Sequence, residues 1–213
     1  MNKSQLDNFI TKYTLGGEIK STKWTSNGNS LSTRFISGDK SVVGNVVLSK
    51  FNHLSPCELG VYNTGQLSSL LSVLGDDVEV SLSQSGDKFI SMEFEDTNRK
   101  TKSKYMLSDL SVIPTPPALK NLPDTFELGI KVDAYFINTF ISGKGALAEA
   151  ETFTILTENN ETKIVIGYAS IASNRVTIPV ETTKYQDIEP ISFNANMFAS
   201  ILNANKDCES ATL

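Results

Sequence analysis

Tyr62-Asn63-Thr64-Gly65-Gln66-Leu67-Ser68-Ser69-Leu70-Leu71 returns near the far end of the chain as Phe193-Asn194-Ala195-Asn196-Met197-Phe198-Ala199-Ser200-Ile201-Leu202. Each copy is an aromatic strand end, an Asn in N-cap position and apolar residues at helical spacing, so each reads as a strand entering an amphipathic helix. A second pair of phrases lies upstream. Phe9-Ile10-x-x-Tyr13 closes a helix running into Gly16-Gly17, and Phe136-Ile137-x-x-Phe140 closes one running into Gly143-Lys144-Gly145, where glycine is expected to stop both. Phe9 to Leu67 spans 58 positions and Phe136 to Phe198 spans 62. The halves share helix type, order and spacing, which indicates an internal duplication with a period of about 130 residues.

The 213-residue length accommodates two domains of roughly 100 residues each. Hydrophobic residues at 39% and charged residues at 20% describe an ordinary globular chain, with no apolar run long enough for a membrane span. Met1-Asn2-Lys3-Ser4-Gln5 has no apolar signal core, so the expected location is the cytoplasm. There Cys57 and Cys208 are expected as free thiols. A net charge of −5 argues against a surface coated for nucleic acid, so any DNA contact must be local or geometric.

Between the helices the pattern is strand-like. Glu18 to Thr25 and Leu31 to Ile36 flank Ser26-Asn27-Gly28-Asn29, a hairpin signal. Ser41 to Ser49 and Glu58 to Tyr62 follow, and the helix Thr64 to Leu74 comes next. Val78 to Leu82 alternates with period two, Phe89 to Phe94 returns after Gly86-Asp87, and Lys104 to Leu110 is the last strand. Residues 1–111 thus form a first domain. Pro114, Pro116, Pro117 and Pro123 make 112–124 an extended connector. In 125–213 the expected elements are Thr125 to Val132, the helix Asp133 to Ser142, Thr152 to Thr157, a polar turn at Glu158-Asn159-Asn160-Glu161, Lys163 to Tyr168, Asn174 to Val180, Ile188 to Phe193 and the helix Ala195 to Ala204. Only Asp207 to Leu213 remain after that helix, and by the ruler of the first half about 25 to 30 more residues are expected. The expected class is α+β, with two duplicated βαβββ-type domains and the second lacking its last strands.

This organisation resembles the DNA polymerase sliding clamps, most closely the trimeric clamps of T-even-type bacteriophages and their marine relatives. The likeness is strongest over Leu59-Gly60-Val61-Tyr62-Asn63, Leu67, Leu70-Leu71 and Gly75-Asp76-Asp77-Val78-Glu79-Val80-Ser81, with Ser83-Gln84-Ser85 after them. Elsewhere it rests on spacing and apolar pattern. The resemblance implies a non-enzymatic processivity factor for viral DNA replication, a homotrimeric ring with antiparallel sheets outside and helices lining a hole around double-stranded DNA. It implies the replicative polymerase and a clamp loader as partners, a link to late transcription as a coactivator, and no cofactor or metal. Lys12 is the best candidate to face DNA, and Lys3, Lys131, Lys144 and Lys206 flank helix ends and could add positive charge. The helix after Asn63 carries no basic residue, so few phosphate contacts and a shallow salt dependence are expected.

In such clamps subunits join by edge strands, which here implies Tyr105, Met106 and Leu107 of one subunit against Arg175, Val176 and Ile178 of the next. By the same pseudo-symmetry the edge around Ser41 to Ser49 is left uncovered, which would make the chain as given a poor ring former. Partner tails are implied to dock near the connector, at Val112, Ile113, Leu119 and Leu122. The rival reading is a β-rich phage structural protein of the tail or virion, against which the two helix-bearing halves weigh.

Other motifs carry less. His53 is the single histidine and leaves no triad to assemble. Asp76-Asp77 reads as solvated turn carboxylates rather than paired acids. Gly143-Lys144-Gly145 lacks phosphate-loop spacing. The basic run Arg99-Lys100-Thr101-Lys102-Ser103-Lys104 reads as a solvated hairpin.

Overall fold

The computed structural model describes residues 1–118, 125–169, 171, 173–208 and 211–213. The chain is α+β and divides into two compact units, Met1–Ala118 and Leu119–Leu213.

In the first unit, α1 (Lys3–Thr14) starts where the Asn2 side chain accepts the Ser4 N–H at 2.9 Å. Leu6, Phe9, Ile10 and Tyr13 recur at helical spacing and are all buried. The helix does stop before the glycines. Leu15 itself takes the left-handed turn, φ 47°, ahead of Gly16 at φ 73°, and its buried side chain holds that conformation. There follow β1 (Thr22–Ser26), β2 (Ser30–Ile36), β3 (Val43–Ser49), β4 (Cys57–Val61), α2 (Thr64–Ser72), β5 (Val78–Ser85), β6 (Lys88–Asp96) and β7 (Lys102–Met106). Two antiparallel sheets result, β3-β2-β1-β4 and β5-β6-β7, joined by a bridge between Gly60 and Ser108. The third strand begins at Val43 rather than Ser41, because Asp39 gathers Ser37 and Ser41 into a turn. The last strand stops at Met106, and the Asp109 side chain accepts the Ser111 N–H to turn Leu110–Val112 instead.

Trp24 sits at the centre of this unit, 1% exposed, with Phe9 and Tyr13 edge-on at 5.4 and 6.3 Å. Its Nε1 donates to the Tyr13 hydroxyl at 3.2 Å, which donates to Thr64 Oγ1 at 3.3 Å, which in turn donates to the Lys20 carbonyl at 3.1 Å. Every polar atom brought into the core by these large side chains is thereby partnered. The chain also ties the last turn of α1 to the first turn of α2.

The second unit contains β8 (Gly129–Val132), α3 (Ala134–Ala146), β9 (Thr152–Glu158), β10 (Glu161–Ile166), β11 (Val176–Val180), β12 (Thr182–Lys184), β13 (Ile191–Asn194), α4 (Ala195–Ala204) and β14 (Ala211–Thr212). Its sheets are β11-β10-β9-β13 and β12-β8-β14. In both units, therefore, the three strands after the first helix form a sheet in the order third, second, first, and the strand before the second helix is added beside the first. Asn159 and Asn160, both at positive φ, close the β9–β10 hairpin as the polar turn predicts. The core is aromatic. Phe140 meets Phe153 and Phe198 edge-on at 5.1 and 4.9 Å, with Phe136 and Leu202 alongside.

One expectation about this unit is corrected. Gly143 does not stop α3, which continues to Ala146, because the lack of a side chain serves packing: a Cβ there would stand 3.0 Å from Val176 Cγ1 and 3.3 Å from Ile166 Cδ1. After α4, where the sequence offers no element, Ala211–Thr212 pairs with β8 and Leu213 exchanges backbone hydrogen bonds with Ile130 at 2.7 and 2.9 Å. In the first unit Met1 and Lys3 similarly meet the start of β5, with Val78 N–H on the Met1 carbonyl at 3.0 Å.

Candidate nucleic-acid interface and edge strands

Each unit presents two helices. The two N-caps read from sequence are made: Asn63 Oδ1 accepts Gln66 N–H at 3.0 Å and Asn194 Oδ1 accepts Met197 N–H at 2.9 Å. Asp133, expected as the first residue of its helix, is instead the N-cap of α3, its Oδ1 accepting Phe136 N–H at 2.8 Å. With Leu67 and Leu71, or Phe136, Ile137 and Phe140, turned inward, the outward positions are Gln66, Ser69 and Ser72 on α2, Tyr135, Asn138 and Ser142 on α3, and Asn196 and Asn203 on α4. All are uncharged. Such a surface can offer hydrogen bonds to phosphate oxygens but very little counterion release.

The five lysines of the sequence reading divide sharply. Lys144 is buried rather than facing solvent: its Nζ donates to the Ala148 carbonyl at 2.7 Å and reaches the Leu147 carbonyl at 3.5 Å, satisfying carbonyls just past α3. Lys3 does the same for another element, its Nζ donating to the Leu74 and Leu71 carbonyls at 2.8 and 3.4 Å, at the end of α2. Lys131 is exposed and paired with Glu181 at 2.9 Å. Lys12, half-buried, belongs to the last turn of α1, and Lys206 is exposed just beyond α4. No local signal marks Lys144 as inward-turning, because lysine ordinarily keeps its ammonium in water.

The basic run on the β6–β7 hairpin is neutralised in place. Glu95 holds Lys102 at 3.0 Å and Lys100 at 3.8 Å, while Glu93 holds Lys104 at 2.8 Å across the strand pair. Lys104 and Ser83 together hold the Glu93 carboxyl below its ordinary range. This face is a laced pattern of both signs, not a cationic patch.

Backbone alternation identifies what each edge offers. On β7 the Leu107 N–H donates inward to Ile90, so Lys102, Lys104 and Met106 turn their backbone groups outward. The Met106 side chain is 60% exposed, whereas Tyr105 is buried and its hydroxyl accepts the Asn63 N–H at 2.9 Å. On β11 Ile178 is buried in its own core, Val176 is half-buried, and Arg175 is exposed just ahead of the strand. Of the interface residues read from sequence, Tyr105 and Ile178 thus serve their own units. The two-residue turn at Asn159-Asn160 sets the hydrogen-bonding alternation so that Thr177 and Pro179 face outward, and Pro179 has no N–H to give.

Near the connector, Val112 is exposed and Ile113 is buried against Gly60, while Leu119 and Leu122 lie outside the described residues. The Arg34 guanidinium donates to the Pro117 carbonyl and holds Pro114 to Pro116 across the outer face of β1 and β2, leaving a recess of about 270 Å³. A larger cleft of about 480 Å³ opens before it, floored by Phe89, Ile90, Leu107 and Leu110.

Elsewhere, the His53 ring lies edge-on against Phe51 at 5.2 Å, and partial burial holds its pKa down. Among the described residues no group of three His, Cys, Asp or Glu could hold a metal ion, and no helix is long and apolar enough to cross a membrane. Cys57 and Cys208 are free thiols. No protein-family model matches the chain, and no curated protein matches it.

Proposed function

We propose that this protein is a DNA polymerase processivity factor, a sliding clamp built from two duplicated domains that encircles duplex DNA and tethers the replicative polymerase during viral replication. The observation that carries this reading is the repeated strand order β3-β2-β1-β4 and β11-β10-β9-β13, each with a helix before it and a side-chain-capped helix after it. A protein held on DNA by topology needs weak contacts that permit sliding, and the uncharged faces of α2, α3 and α4 suit that requirement. The net charge of −5 is then carried outside the hole.

The proposed ring is a homotrimer closed by β7 of one subunit against β11 of the next, with Met106, Arg175 and Val176 at the seam. Pro179 limits that pairing to the Thr177 end of the strand, so the seam relies on side chains as well as on the ladder. Polymerase and clamp-loader tails are proposed to dock beside the connector, where Phe89, Ile90, Leu107 and Leu110 supply an apolar cleft next to Val112.

The test is primer extension by the cognate polymerase on a circular primed template, with and without this protein restored to full length and its loader. Longer products are expected when all are present. Unchanged product length overturns the clamp reading. Binding to linear duplex is expected to be weak and to change little with salt, because few phosphates are neutralised.

A further inference from the structure

Exposed sheet edges differ in how well they are guarded against pairing with another strand, and charge, proline, brevity and cover are the usual guards. β11 has Pro179 facing outward, and β7 presents Lys102 and Lys104, which would face their own copies in a symmetric pair. β4 is joined to Ser108 through Gly60, β5 begins paired with Met1, and β12, β13 and β14 have four residues or fewer. β3 has none of these guards. Its seven residues, Val43-Gly44-Asn45-Val46-Val47-Leu48-Ser49, include no charge and no proline, and among the described residues it pairs with β2 alone. The Ser37 N–H donates to the Val42 carbonyl at 2.9 Å, which fixes the alternation: Gly44, Val46 and Leu48 bond inward to β2, while Val43, Asn45, Val47 and Ser49 turn N–H and C=O outward. Val47 is 52% exposed.

We propose that the 213-residue chain self-associates through β3, with two copies forming one continuous antiparallel sheet about a twofold axis at Val46. The register follows from the alternation. Placing Val46 opposite Val46 of the second copy sets Val43 against Ser49 and Asn45 against Val47, so that every outward-facing backbone group of the strand is paired. A shift by one residue would bring outward groups against inward ones. No charge is opposed in this arrangement, and it places the exposed Val47 side chain beside Asn45 of the other strand. A second copy suits this edge because the edge is its own complement, which is true of neither β7 nor β11. The proposal is independent of the clamp reading, whose ring uses β7 and β11, so the two can fail separately.

Symmetric disulfide trapping tests it, in a Cys57→Ser, Cys208→Ser background. A non-hydrogen-bonded antiparallel pair sets its Cα atoms about 4.5 Å apart, within disulfide range. Val46→Cys is expected to give a covalent dimer under mild oxidation, whereas Ser49→Cys, which faces Val43, and Met106→Cys on β7 are not. In the native chain, light scattering is expected to show a dimer in equilibrium with monomer. Val47→Lys should weaken that dimer by about tenfold or more, with circular dichroism unchanged because the side chain is on the surface. A monomer at all concentrations, a dimer indifferent to Val47→Lys, or equal trapping at all three cysteine positions overturns the proposal.

Discussion

The two units wind the same strand order around chemically different centres. In the first, Trp24, Tyr13, Thr64 and the Lys20 carbonyl form a hydrogen-bonded chain through the core, so the helices are fixed by directional contacts as well as by burial. In the second, Phe136, Phe140, Phe153 and Phe198 meet through ring edges and faces, with no polar atom among them. The comparison teaches that the order of elements and their apolar pattern determine the topology, while the contents of the core determine how tightly helix orientation is specified.

Emptying the second core is the hardest blow to that comparison. Phe140→Ala, at a fully buried position touching three other rings, is expected to cost about 3–5 kcal/mol of stability in urea unfolding. Tyr13→Phe sharpens the contrast, because it removes a hydroxyl that partners both the Trp24 Nε1 and Thr64. A loss of about 1–3 kcal/mol is expected, with a change in tryptophan fluorescence, and no equivalent substitution exists in the second unit. Gly143→Val tests whether that glycine spaces α3 from the sheet; it is expected to cost about 1–3 kcal/mol by overpacking against Val176 and Ile166. Gly145→Ala, with open space around it, should instead gain up to about 1 kcal/mol. Asn63→Ala and Asn194→Ala should each lose about 1 kcal/mol, and unequal losses would break the equivalence of the two caps.

A final contrast is electrostatic. Asp96, in the first unit, accepts the Arg99, Gly75 and Asn98 backbone N–H groups, which together hold its carboxyl below the usual carboxylate range. Its contribution is therefore complete above the unfolded carboxyl pKa of about 3.9 and is lost as pH falls through the lower folded value. Asp96→Asn is expected to flatten the acid limb of the stability curve, measured by urea midpoints across that range. An unchanged limb would place the acid sensitivity on other carboxylates.

Helix pairs, their caps and the hairpin turns were legible in the sequence because each rests on local chemistry: Asn63 and Asn194 before apolar runs, and Asn159-Asn160 between alternating segments. The end of α3 was not. A glycine near a helix end fits equally a chain reversal and a close approach to a sheet, and only Val176, distant in sequence, decides between them. β14 escaped because two residues carry no period. The lysines of the candidate site were the least legible, since the carbonyls that hold Lys3 and the glutamate that holds Lys131 are set by tertiary neighbours. What survived from that reading is the uncharged character of the outward helix faces, which composition alone displays.

Lys144 has a practical corollary. An acylating reagent needs an amine nitrogen it can reach with a lone pair to attack, so this buried side chain, its Nζ held on the Ala148 carbonyl, should react slowly while exposed lysines such as Lys206 react quickly. The rate at which a label finally arrives there would time the opening of the last turn of α3.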